Sequence, residues 1–315
     1  MSNLEHDISY TTEEIAQILK VSKLTVYDII KKGEIRAYRV GRQMRVDAVD
    51  LTAYKERLKS GGDLPQIQRV DAEQSQEPTR SPSIIISGQD ISLDILAGYI
   101  EEASVGYRPL RSFAGSLNSL VKMYQGEADI VSTHLFDGET GQYNLPYIKR
   151  LLTGHSYLVI HLLSRKAGLY VQKGNPKQLQ NWSDLAQPGI RLINREKGSG
   201  ARVLVDEHLR LANIVAPSIV GYDDEEPNHM AVAARIASGQ ADVGVGIEKT
   251  ARLLGVDFVP LIDEQYDLVL LKTKDNEALR EFIVKTLNDP DFQAKISAIG
   301  DYDLTDAGMI RYETL

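Results

Sequence analysis

The sequence predicts an α/β protein in two parts: a small basic domain of helices and one β-hairpin, then a larger acidic body of alternating strands and helices. Charge, a polar break and hydrophobic patterning carry that reading. Residues 1–59 hold 11 basic and 9 acidic side chains, whereas residues 60–315 hold 25 and 35, so a net charge of −8 hides a basic arm on an acidic module. Between them, residues 60–82 contain Gly61-Gly62 and three prolines without apolar periodicity, as a linker does. Beyond it, short apolar runs alternate with helical stripes and glycine turns.

Composition excludes several classes. A chain of 315 residues with 43% hydrophobic content has room for two or three domains with real cores. The absence of cysteine removes disulfides, thiolate metal sites and a thiol nucleophile. Met1 to Tyr10 carries Glu5, His6 and Asp7 around no apolar core, unlike a signal peptide, and no apolar run approaches a membrane span. The expected location is the cytoplasm.

In residues 1–59, Thr11 with Glu14 forms a capping-box pattern ahead of Ile15, Ile18 and Leu19. Val21-Ser22 breaks that helix, and Ser22 caps a second one with Val26, Ile29 and Ile30 inward and Gly33 as its stop. Ile35 to Val40, a Gly41-Arg42 turn and Gln43 to Val46 read as a wing, and a last helix carries Val49, Leu51, Tyr54 and Leu58. Lys20 to Arg45 holds eight basic residues against Asp28 and Glu34 alone. On Tyr10-Thr11-Thr12-Glu13-Glu14-Ile15-Ala16, Val21 to Tyr27 and Arg39 to Val46, the segment resembles the excisionase-type winged helix-turn-helix, related to MerR regulators. The resemblance implies a second helix in the major groove, with Lys23, Thr25, Tyr27, Asp28 and Lys31 the candidates for its exposed face. Arg39, Arg42 and Arg45 would hold phosphate or a minor groove from the wing.

In the body, Asn194-Arg195-Glu196-Lys197-Gly198-Ser199-Gly200-Ala201-Arg202 lies between an apolar strand and a helical stripe. A helix N-terminus offers unpaired N–H groups and partial positive charge, and Arg195 and Arg202 add forked donors, so the stretch suits an anion. A plain N-cap serine with solvated arginines is the simpler alternative. Ser87-Gly88 and Gly115-Ser116 repeat the pattern at two more strand ends, where open α/β sheets collect ligands. Further motifs are Gly126-Glu127-Ala128-Asp129, His134-Leu135-Phe136-Asp137 with Thr140 to Asn144, Gly239-Gln240-Ala241-Asp242 with Gly244-Val245-Gly246, and Asp257 to Leu261.

On these blocks, residues 83–312 resemble the type II periplasmic-binding-protein fold, in the cytoplasmic class associated with molybdate-binding domains. The resemblance implies two lobes, about 83–165 with 266–315 and about 170–258, closing on a ligand about a two-strand hinge. Related domains often place threonine after Gly-Ser-Gly, where this chain has Ala201. The expected ligand-binding set is Ser87, Gly88, Ser116, Thr133, His134, Asn144, Arg195, Gly198, Ser199, Gly200, Arg202 and Tyr222. The expected protein is a homo-oligomeric, ligand-responsive transcription regulator that binds an operator. Its preferred effector is molybdate or tungstate, with a molybdenum-cofactor-like or other organic anion as the alternative. No cofactor or metal is required. Neither metal-ligand spacing nor a catalytic serine motif occurs, so an enzyme, like an architectural protein tethered to DNA, is the rival from another class.

Overall fold

The structure is a computed structural model that describes residues 9–31, 35–40, 43–59, 82–103 and 106–314. The chain divides into two units, Met1–Glu77 and Pro78–Leu315.

In the first unit, β1 (Ser9–Thr11) leads into α1 (Thr12–Leu19) and α2 (Lys23–Lys31). The hairpin β2 (Tyr38–Val40) and β3 (Gln43–Asp47) precedes α3 (Ala48–Lys59). The capping box forms: the Thr11 hydroxyl accepts from Glu14 N at 3.3 Å while Glu14 Oε2 accepts from Thr11 N at 2.8 Å. Ser22 Oγ accepts from Thr25 N at 3.1 Å, which starts α2 as anticipated. Ile15, Val26, Ile35, Val46, Leu51 and Tyr54 close a small core. One strand was not anticipated: β1 pairs antiparallel with β3, making a three-stranded sheet. Gly33, the wing turn with Arg42, the linker up to residue 81, and the side chains of Asp28, Lys31 and Arg39 lie outside the described residues.

The second unit begins with β4 (Ser83–Ser87), α4 (Ser92–Glu102), β5 (Arg108–Ser112), α5 (Ser116–Tyr124) and β6 (Ile130–Thr133). A short hairpin of β7 (Phe136–Asp137) and β8 (Gln142–Tyr143) leads to α6 (Leu145–Leu151) and the long strand β9 (Tyr157–Val171). Then come β10 (Leu192–Arg195), α7 (Gly200–Leu211), β11 (Glu225–Glu226), α8 (His229–Ala237), β12 (Val243–Ile247), α9 (Glu248–Leu254) and a second long strand, β13 (Asp257–Leu271). Helices α10 (Glu277–Leu287) and α11 (Pro290–Ser297) and strands β14 (Tyr302–Asp303) and β15 (Ile310–Glu313) complete it.

One curled sheet runs β11-β10-β12-β9-β13-β6-β4-β5, with β14 and β15 also on β9. Strands β5, β4 and β6 are parallel, as are β11, β10 and β12, while β9 and β13 run antiparallel to each other between the two groups. Each group is one lobe with its own core. Lobe 1 closes over Ile86, Leu96, Ile130 and Leu268, and lobe 2 over Leu192, Leu204, Val243 and Leu169.

Each of the two crossovers between the lobes, β9 and β13, is one unbroken 15-residue strand serving both lobes. Polar residues interrupt the apolar pattern there because hydrogen-bonding to a neighbour holds backbone in a sheet whatever the side chains are. Register shifts at Pro260/Ile262 and Tyr266/Asp267 bend β13 where it leaves one lobe for the other. Residues 219–222 form turns after a short 3₁₀ helix at Ala216–Ser218. Among the described residues no helix is long and apolar enough to cross a membrane.

Candidate functional site

Two of the three glycine-serine strand ends meet face to face. Leu117 N, in the first turn of α5, donates to Gly198 O at 2.9 Å. A Cβ on Gly115 would lie 2.8 Å from both Gly198 O and Ser199 Cα, so only glycine permits this approach. Gly200 likewise packs against the His134 ring. The α5 and α7 N-termini, expected to cradle an anion, therefore contact each other.

The other expected ligand contacts are committed within the fold. Ser87 shares a buried hydrogen bond with Ser119 at 2.9 Å, and Gly88 sits against Ser132. Ser116 Oγ accepts from His134 N at 3.2 Å, and Ser199 Oγ caps α7 by accepting from Arg202 N at 3.2 Å. Asn144, at φ 63°, is completely buried. Its Oδ1 accepts from Thr133 Oγ1 and Leu135 N, while its Nδ2 donates to Asp267 and Gln265 O. Arg195 donates to Glu196, to Gln89 Oε1 at 2.7 Å and to Pro227 O. Arg202 donates to Asp206, Glu225 and Arg195 O and lies 4.2 Å over the Tyr222 ring, whose hydroxyl donates to Asp206. Both arginines act as lobe 2 struts, and Arg195 to Gln89 ties that lobe to lobe 1.

An open space lies beside this contact, towards the long strands. A cavity of about 540 Å³, within the range of small-molecule sites, is lined by both lobes. Lobe 1 supplies Gln89, Asp90, Ile91, His134 and Tyr302, lobe 2 supplies Asn228, His229, Met230, Ile247, Lys249, Thr250 and Leu253, and β9 and β13 supply Arg165 and Tyr266. Of the twelve expected ligand contacts, His134 alone lines it.

The floor is a buried charge network. Arg165 Nε donates to Glu264 Oε1 and Nη1 to Asp90 Oδ2, both at 2.6 Å, and its guanidinium lies 4.6 Å over the Tyr266 ring. The Tyr302 hydroxyl donates to the same Asp90 oxygen at 2.8 Å, and His134 Nδ1 lies 2.8 Å from Glu264 Oε2. Burial by itself would raise the Glu264 carboxyl, but Arg165 and then His134 hold it down at about 2. Burial would lower Arg165, yet Glu264 and Asp90 raise it above its ordinary value. Glu264 is therefore ionised and paired with Arg165, which also holds Asp90. Burial, then the field of Arg195 and Arg165, pushes His229 well below the usual histidine range, and its Nδ1 has no hydrogen-bond partner among the described residues.

Sequence reasoning missed most of this lining. The available signal was the charged interruption of two apolar strands, Arg165 in β9 and Glu264 in β13, which marked crossovers and not a site. Among the described residues no cluster of three His, Cys, Asp or Glu side chains suits a metal ion.

On the first unit, the described side chains of the expected DNA face are mixed. Lys23 pairs with Glu13 and lies 6.0 Å over the Tyr27 ring, Tyr27 is exposed, and Thr25 Oγ1 shares a 2.8 Å hydrogen bond with Ser22. Arg45 is half-buried and donates to Ser9 Oγ at 3.1 Å.

Comparisons with known proteins follow the same division. Residues 9–59 match a helix-turn-helix domain and residues 97–287 the PBP superfamily domain. The chain is 53% identical over 306 residues to the uncharacterized protein YvgK of Bacillus subtilis (strain 168), covering 97% of this chain and 98% of that one. It is 33% identical over 100 residues to the sulfate-binding protein of Escherichia coli (strain K12), covering 29% of each chain. A solved structure titled as a putative L-cystine ABC transporter from Listeria monocytogenes superposes with a TM-score of 0.50 at 15% identity. It covers 70% of this chain and 98% of that one, a likeness of fold.

Proposed function

We infer the function from one premise: this chain belongs to the PBP superfamily, and its binding-protein-like unit is joined to an N-terminal helix-turn-helix domain. The protein is a DNA-binding transcription regulator whose second unit senses a small molecule. The observation that carries this reading is a cavity of about 540 Å³ lined by both lobes, within the same chain as a DNA-reading domain. A ligand touching both lobes favours the closed arrangement in proportion to its differential contact with it, and that difference is what a regulator transmits. The protein works in the cytoplasm as a homodimer or larger assembly, because helix-turn-helix dimers read half-sites about 34–36 Å apart. Lys23, Thr25, Tyr27 and Arg45, with Lys31, Arg39 and Arg42, form its DNA face.

A second reading keeps a tetrahedral oxyanion, molybdate or tungstate, as the effector. The sulfate-binding relative favours it. The commitment of Arg195 and Arg202 to Glu196, Gln89 and Glu225 weighs against it.

The test is selection of bound duplexes from a random DNA pool by the full chain, then affinity for the recovered site against salt. We expect an enriched, two-fold symmetric consensus and affinity that falls linearly in log–log form as salt rises. A folded chain that enriches no sequence would overturn the regulator. Thermal unfolding with molybdate, tungstate, sulfate and phosphate tests the second reading, since a ligand at 100 times its Kd adds about 2.7 kcal/mol.

A further inference from the structure

We propose that the cavity is built for an organic monoanion, a carboxylate on an apolar or aromatic body, with Lys249 reading the charge. This deepens the sensor reading and rests on it.

The charge argument starts from which wall groups are already satisfied. Asp90 accepts from Ser92 N, Arg165 and Tyr302, and Arg165 is shared between Asp90 and Glu264. Lys249 is different. Among the described residues no carboxylate lies within ion-pair distance of it, and its ammonium lies over the Tyr302 ring, 5.4 Å from the centroid. It sits next to Glu248 in the first turn of α9. A half-buried lysine at the wall of a cavity, held by an aromatic face and by no carboxylate, is the wall cation left to pair with a ligand anion.

The body of the ligand follows from the rim. Ile91 from lobe 1 and Met230 and Leu253 from lobe 2 are 49%, 56% and 66% exposed at the cavity. Large apolar side chains left in water around one opening mark a surface meant to be covered by apolar matter. Inside, Tyr266, Tyr302 and His134 present rings. A hydrated tetrahedral oxyanion needs none of these surfaces and fills little of the volume. An aromatic carboxylate uses the rings, the rim and Lys249 together, and bridges the two lobes in doing so.

The experiment is titration calorimetry and thermal unfolding of the full chain with benzoate, 2-naphthoate and indole-3-acetate. The neutral 2-naphthamide, sulfate and molybdate are the comparison arms. We expect at least one carboxylate to bind and stabilise, with 2-naphthamide weaker. Lys249→Met weakens the carboxylate about tenfold and leaves the amide unchanged. Leu253→Gln, at a position already two-thirds exposed and so tolerant of change, weakens both. Stabilisation by sulfate or molybdate alone would keep the sensor and overturn the organic class. Carboxylate binding indifferent to Lys249→Met would overturn the role of that lysine. No response in any arm, with both variants folded, would overturn the proposal, and the regulator reading would stand or fall on the DNA selection.

Discussion

Arg165 is the residue on which the site turns. Its side chain is 4% exposed and paired with two carboxylates from distant parts of the chain, Asp90 and Glu264. Removing one partner of a buried ionic group typically costs about 3–5 kcal/mol, because the remaining charges stay buried without compensation. Arg165→Met should therefore lose stability of that order at neutral pH, measured by chemical denaturation. The sign of its pH dependence is fixed by Glu264. With Arg165 present the carboxyl is held down at about 2, so its contribution is complete above the ordinary carboxyl range and is lost as pH falls towards 2. Without Arg165 the carboxyl titrates higher, and acidification neutralises it. The deficit of the variant should shrink below about pH 5. A deficit independent of pH would mean that packing and not charge is what Arg165 supplies.

The β7–β8 hairpin shows how an element of one lobe is held by the other. It leaves β6 in lobe 1, yet Phe136 and Tyr143 enter the lobe 2 core with Leu204 and Leu209, and Gly138 N donates to Glu207 at 2.8 Å. His208 on α7 is stacked between Trp182 and Phe136, with centroids 4.4 and 4.9 Å away and rings nearly parallel. Burial lowers its basicity, so the folded protein holds it neutral. A histidine depressed in the folded state contributes stability above its unfolded pKa of about 6.5 that is lost as pH falls below it. Stability should decline from about pH 6.5 downward, and His208→Phe, which keeps the stack, should flatten part of that decline. An unchanged slope in denaturation midpoints between pH 7 and 5 would exclude His208 as a source.

For the whole molecule, the contact of α5 with α7 sets the closed arrangement about β9 and β13. Arg252 with Asp301, 2.8 Å apart, and Gln89 with Arg195 add ties between the lobes. Gly115→Ala places a methyl carbon against backbone at 2.8–2.9 Å, which cannot yield as a flexible side chain can. The lobes should part at this contact while each core stays folded, at a cost of about 1–3 kcal/mol typical of overpacking. Hydrogen exchange should show lost protection at Leu117, which donates to Gly198 O, with β9 and β13 unchanged. Retained protection would mean that the backbones shift locally and the lobes stay closed.

What the sequence determined by itself is local in origin. The Thr11–Glu14 capping box, the Ser22 cap, the alternation of strands and helices and the split between a basic and an acidic unit follow from periodicity, turn chemistry and composition, which operate over a few residues. The glycine-serine strand ends were also legible as helix starts, since Ser199 caps α7 and Gly115 precedes α5. Only the tertiary structure decided that those ends meet each other, that Arg195 and Arg202 are internal struts, and that the cavity lies towards the hinge. Asp90 and Glu264 reach Arg165 across 75 and 99 positions of chain, and Ile91, Lys249 and Leu253 share an opening because two lobes close on it. No local pattern records such distances; they exist once the packing of two cores and two long strands has brought the residues together.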